Sequence, residues 1–266
     1  MKHTWYGAMA SGILALAAGA ALAQSVTPPG VTSEADGLFA TFTADHMTTS
    51  LGPVDELLGS PPPGSSETRM LGVFDQTIAL PPLVPGIVYP VVAQFTAQAY
   101  GLRSHIAAVG TSTGSVTTTA SAQVAGSDLR ITADDGISPV VATVPFLEVA
   151  ATGVAASASL TKGALQPGKV AGSASFTALS IAGSLLGGHA ITVTGAEPPD
   201  TLLYQSPTVT IIADQQTVVG LITCDPQCHY IASTIAVHAL DIVLDNAPIL
   251  GRPVSGEIVL GEAAAR

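Results

Sequence analysis

Cys224 and Cys228 are the only two cysteines in a chain of 266 residues, in the run CDPQC. A thiol pair with three residues between offers a disulfide, a metal site or a redox couple. In an exported chain the expectation is a disulfide closing a tight loop around Pro226. So short a loop stabilises near the low end of the usual range. Zinc normally takes four ligands at recognisable spacing, and only His229 adjoins the pair. A redox couple would sit on a βαβ background, which this sequence lacks. His238 lies in IAVHALDIVL and shares its parity with Leu240, Ile242 and Leu244, while Asp241, Val243 and Asp245 take the other face. It reads as a partly buried structural histidine. His46 and His189 read as strand-end or loop residues. Asp134-Asp135-Gly136 and Asp241 with Asp245-Asn246 carry oxygens that suit calcium, but no D-x-[DN]-x-[DN]-G loop occurs, so turns are expected there. The many serines allow a Ser/His/Asp triad on paper, and their abundance makes such a match uninformative. The sequence therefore assigns no catalytic, cofactor-binding or metal-ligating residue.

The elements that would carry these residues are extended. In Val91–Leu102 the apolar positions are odd (Val91, Ala93, Phe95, Ala97, Ala99), and Gln94, Thr96 and Gln98 alternate with them. A period of two puts one face in and one face out. Residues 115–124 are rich in Thr and Val, which suit a pleated surface. Strands are expected over 35–45, 140–150, 153–161, 170–181, 202–213, 218–223, 231–244 and 254–260. In 170–181 the even positions Val170, Ala174, Phe176 and Ala178 should face inward. Pro53–Leu58 suggests one helical turn with Pro at its start. Residues 59–66 (GSPPPGSS) and 81–90 are broken by proline, and Pro167-Gly168 marks a turn. This pattern predicts an all-β protein: an antiparallel sandwich or elongated stack of about a dozen strands, with little helix. Residues 24–66 form an N-terminal strand and Pro-rich linker, and 67–266 the β-rich domain.

Composition narrows the function classes. Net charge is −11, charged residues are 10% and hydrophobic residues 47%. That excludes a disordered acidic chain and a nucleic-acid binder, which needs a basic face. Aromatics are only 5%, so the core must rest on Ala, Val, Leu and Ile. Lys2 and His3, an apolar run over 9–22, and Ala21-Leu22-Ala23 before Gln24 have the layout of a secretory signal peptide over 1–23, cleaved between Ala23 and Gln24. No later stretch is apolar and unbroken enough for a membrane-spanning helix. The spread of acids reads as a solubilising surface.

Several stretches resemble a known family. They are Ala99-Tyr100-Gly101-Leu102, VAGSASFTALSIAG (170–183), ITVTGAEPP (191–199), TVTIIADQQ (208–216) and STIAVHALDIVL (233–244). Together, over about 90–246, they resemble the exported bacterial proteins called choice-of-anchor P. The resemblance implies an exported β-rich protein of unassigned biochemical role and supplies no catalytic residue. The family's varied C-terminal anchors have no counterpart in Gly261–Arg266, so a periplasmic or released protein is expected. The expected role is non-enzymatic, structural or interactive, with an envelope or extracellular partner. Rival readings are a carbohydrate- or small-ligand-binding module using Tyr89, Tyr100, Tyr204 or Tyr230 as platforms, and an envelope hydrolase.

Overall fold

A computed structural model describes residues 32–80, 91–110, 115–134, 145–163, 166–224 and 228–266, without the side chains at 134, 166–167, 221–224 and 228–232. The expected signal segment with Ala23 and Gln24, the proline-broken stretch 81–90, and residues 135–144 lie outside these. The fold is all-β, two antiparallel sheets packed face to face.

The first strands are β1 (Ser33–Ala44), β2 (Met47–Val54) and β3 (Leu57–Gly59). Next come β4 (Ser65–Ala79), β5 (Val92–Gly110), β6 (Val116–Asp134), β7 (Leu147–Gly163) and β8 (Gln166–Ala182). After a 3-10 turn at Ser184–Leu186 follow β9 (Ile191–Ala196), β10 (Thr201–Gln205), β11 (Val209–Cys224), β12 (Cys228–Ile249) and β13 (Arg252–Ala265). One sheet has six strands in simple meander order, β4 to β9. The other has seven, in the order β10-β11-β12-β13-β1-β2, with β3 also on β1. Thus β1, expected ahead of the main domain, pairs between β13 and β2 and shares the common core.

Three local expectations are corrected. Residues 53–58 hold no helical turn: Pro53 and Val54 end β2, and Leu57 opens β3. The strands expected over 140–150 and 153–161 join in the single strand β7, because its pairing with β6 and β8 carries past Gly153. Gly163 pairs with Gln166, so Pro167-Gly168 lies inside β8 and not at the turn. Two hairpins turn on residues with positive φ, Asp45-His46 between β1 and β2 and Leu250-Gly251 between β12 and β13. Two-residue turns with both φ values positive match the right-handed twist of the strands they join.

Between the sheets β12 lies over β8, β13 over β7 and β6, and β1 over β6 and β5. The core is mostly Ala, Val, Leu and Ile. Among the described residues its one ring pair is Phe42 from one sheet and Phe95 from the other, with centroids 5.0 Å apart and planes tilted by 53°.

Both sheets share a device the period-two pattern hides. In β5 the buried positions are odd from Ala93 to Ala99 and even from Leu102 to Ala108. In β6, β7 and β8 the facing changes likewise, between Val124 and Leu129, Ala151 and Val154, and Phe176 and Leu179. Pairing stays continuous through the change (Leu102↔Val124↔Val154), so 101, 125, 153 and 177 stand in one row across the sheet. Gly101 and Gly153 have φ of 61° and 57°. Only glycine adopts this region at no steric cost, and a Cβ at Gly153 would also collide with the Thr177 hydroxyl. The seven-stranded sheet repeats the row with Asp214 (φ 50°), Ala239, Gly261 (φ 70°) and Gly37. The two rows overlie one another, since a Cβ at Gly261 would rest 3.4 Å from Val154 Cγ1.

Candidate functional site

The change of facing decides where the chemistry-bearing residues of β12 point. Val237 and Ala239 are core residues, and so are Leu240 and Ile242. His238 and Asp241, one on each side of the change, therefore come to the same outer side of the sheet. The sequence reading grouped His238 with Leu240 and opposed it to Asp241, and this is corrected. One polar row crosses four strands, with Gln215, His238, Glu262 and Asp36 as successive register partners. On the far side of the glycine row stands Asp241, with Glu257 on β13 one diagonal step away.

This face buries charge. Asp241 is 2% exposed and Asp36 5%. Burial pushes the Asp36 carboxyl up to about 7, helped by the negative Glu262, Glu34, Glu56 and Asp55 nearby. Burial likewise raises Asp241 to about 6, with Glu257 adding and His238 opposing. Glu34, Asp55 and Asp214 are also raised, chiefly by burial. Glu262 is lowered, chiefly by its hydrogen bond with His238. The His238 ring is raised: burial opposes its charge, but Glu262, Asp241 and Glu257 outweigh it. His238 Nε2 stands 3.8 Å from Glu262 Oε1. Oδ1 of Asp241, Oδ1 of Asp36, both carboxylate oxygens of Asp55 and Nδ1 of His238 are buried without hydrogen-bond partners. Arg69 Nε lies 3.7 Å from Asp55 Oδ1. Only the opposition of Asp241 to Leu240, Ile242 and Leu244 hinted at this centre, and the period-two reading put His238 on the wrong face.

A second feature lies on the six-stranded sheet. A depression of about 510 Å³ is lined by Gln98, Tyr100, Asp128, Thr152, Ser180 and Thr192 among others. The Tyr100 ring lies over Gly126, where a Cβ would strike it. Tyr100 is 53% exposed and is the register partner of Val73 on the edge strand β4. Val73 is 73% exposed and Met70 69%. The intervening Gly72 extends the row of residue 101, so both side chains share the outer face with Tyr100.

The remaining sequence candidates are dispersed. Cys224 and Cys228 are backbone partners at the end of the β11–β12 hairpin, and their side chains, with His229 and Tyr230, are outside the described set. Tyr204 packs against the core from β10, on the opposite sheet from Tyr100. Tyr89 and Asp135-Gly136 lie outside the described residues. Asp245 Oδ1 accepts from the Asn246 side-chain amide, and Asn246, whose φ is 52°, lies in a local irregularity of β12 opposite Ser255. No helix among the described residues is long and apolar enough to cross a membrane. Compared with family models, curated proteins and solved structures, the chain matches none.

Proposed function

We propose that this is an exported, non-enzymatic β-sandwich with a structural or interaction role in the envelope or outside the cell, as the resemblance to the choice-of-anchor P proteins implies. The observation that carries the reading is the apolar cluster Met70, Val73 and Tyr100 on the outer face at the β4 edge. Contiguous exposed apolar side chains mark interaction surfaces, and a long edge strand presents unpaired backbone groups to a partner. Arg103, the register partner of Met70, and Asp75, two residues from Val73 on the same face, supply charge beside the cluster. The test is in-cell cross-linking with mass spectrometry on the wild type and a Met70→Lys/Val73→Lys variant. Both positions are exposed, so folding should survive. The proposal expects cross-links at β4 that the variant loses. An unchanged cross-link pattern refutes it. Export is checked by N-terminal sequencing of the fractionated protein, with Gln24 as the expected first residue.

A ligand-binding reading has one observation in its favour, the mostly apolar depression walled by Tyr100. Glycan binding that Tyr100→Ala abolishes would support it. Binding unaffected by that change, or no binding, sinks it.

A further inference from the structure

We propose that His238, Asp241 and Glu257 form a binding site for a first-row divalent metal ion, with zinc as the type case, that ties β12 to β13. Each residue offers one ligand atom, and these atoms all lie within 4.8 Å of one another. A tetrahedral ion with bonds of about 2.1 Å holds its ligand atoms about 3.4 Å apart, a gap that small side-chain rotations close.

Proximity of acids alone would carry nothing, but two further observations point to a ligand. Asp241 is 2% exposed and its Oδ1, buried, accepts no hydrogen bond. His238 Nδ1 is buried and equally without a partner. Buried polar atoms in folded proteins are nearly always satisfied, and an orphan calls for an explanation such as an ion. Here two orphans belong to one group of three converging side chains. The surroundings fit as well. Glu262 faces the other ring nitrogen, Nε2, at 3.8 Å. A carboxylate behind a ligating imidazole fixes the ring and raises its basicity. Gln215, the register partner of His238 on β11, also lies close to the Asp241 carboxyl.

The donor set selects the metal. Calcium and magnesium take oxygen ligands and have little use for imidazole. One imidazole with two carboxylates suits zinc or a neighbour of it in the first transition row. Three protein ligands leave a position for water. The site lies on the opposite sheet from Met70, Val73 and Tyr100, so failure of the interaction reading leaves this proposal standing, and the reverse.

The test titrates the full chain, stripped with EDTA, with Zn²⁺ by calorimetry, with Ca²⁺ and Mg²⁺ in parallel. Expected are one saturable equivalent of zinc, preference over both other ions, and a rise in melting temperature. Asp241→Asn and Glu257→Gln should each weaken binding at least tenfold. If Asp241→Asn fails to fold, X-ray absorption at the zinc edge of the wild-type complex reads the ligands directly. It should show a single imidazole with oxygen neighbours and no sulfur. Absence of saturable binding, preference for calcium, a sulfur shell from Cys224 and Cys228, or full-strength binding by Glu257→Gln would each overturn the site.

Discussion

The two sheets share a core and a row of facing changes, yet they treat charge in opposite ways. Every acid with a displaced pKa, Glu34, Asp36, Asp55, Asp214, Asp241 and Glu262, belongs to the seven-stranded sheet or to its β2–β3 link. On the six-stranded sheet the comparable ionic feature is Arg130, which bonds Asp128 at 2.8 Å and Glu148 at 2.9 Å, all well exposed. That sheet meets solvent with paired hydroxyls, such as Thr117–Thr161 at 2.8 Å and Ser157–Ser173 at 2.9 Å. Uncompensated buried carboxylates cost stability, so packing alone gives no reason to keep them on one sheet. Their concentration there is what a binding centre requires, while the other sheet offers an accessible surface.

The comparison can be strained from several directions. The largest effect should come from what the sheets share. Phe95→Ala removes half of the ring pair across the interface and should cost about 3–5 kcal/mol in urea unfolding. A loss below 1 kcal/mol would mean that the sheets do not depend on one another. Next come the facing rows. Gly153→Ala must place a Cβ at φ 57° and against Thr177, so a loss of roughly 2 kcal/mol or more is expected. Gly195→Ala, with φ 97° but open space around it, isolates the backbone contribution and should cost less. Equal losses would remove the close packing of the row from the account. Smallest is the polar surface of the six-stranded sheet. Ser157→Ala should shift stability by no more than about 0.5 kcal/mol. A larger loss would show that the hydroxyl pairs stabilise the sheet.

The sequence made some of this legible. Alternation over Val91–Leu102 places Val91, Ala93, Phe95, Ala97 and Ala99 inward, and the structure buries the last four but leaves Val91, ahead of β5, exposed. It also places Ala174 and Phe176 inward, correctly, but then Ala178, where Leu179 takes the buried position instead. The failure is physical. A period of two assumes one unbroken phase, and each long strand slips phase once where neighbouring strands turn over together. Gly101, Gly153 and Gly261 mark the slip, but a glycine in a strand equally marks a bulge or an end. Asp214 and Ala239 give no sign at all. The polar centre was hidden for the same reason: His238 and Asp241 are three apart, which an unbroken strand would place on opposite faces. Its other members, Glu257 and Glu262 on the next strand and Asp36 at the far end of the chain, meet it only through pairing.

The placement of buried acids is tested most directly by the pH dependence of urea-unfolding stability, measured in EDTA for the wild type and Asp36→Asn. An acid whose folded pKa is raised binds its proton more tightly when folded, so stability is greatest below the unfolded pKa, near 4, and falls as pH rises through the folded value. Asp36, at about 7, and Asp241, at about 6, both act in this sense. So does His238, whose raised pKa adds stability below about 6.5 that is lost as pH rises through the folded value, and the lowered Glu262 opposes them. The account predicts stability that declines from pH 4 to pH 8, and an Asp36→Asn protein that is more stable than the wild type at pH 8, by on the order of 2 kcal/mol, but scarcely so at pH 4. Stability that climbs over this interval, or an Asp36→Asn variant destabilised at pH 8, would contradict it.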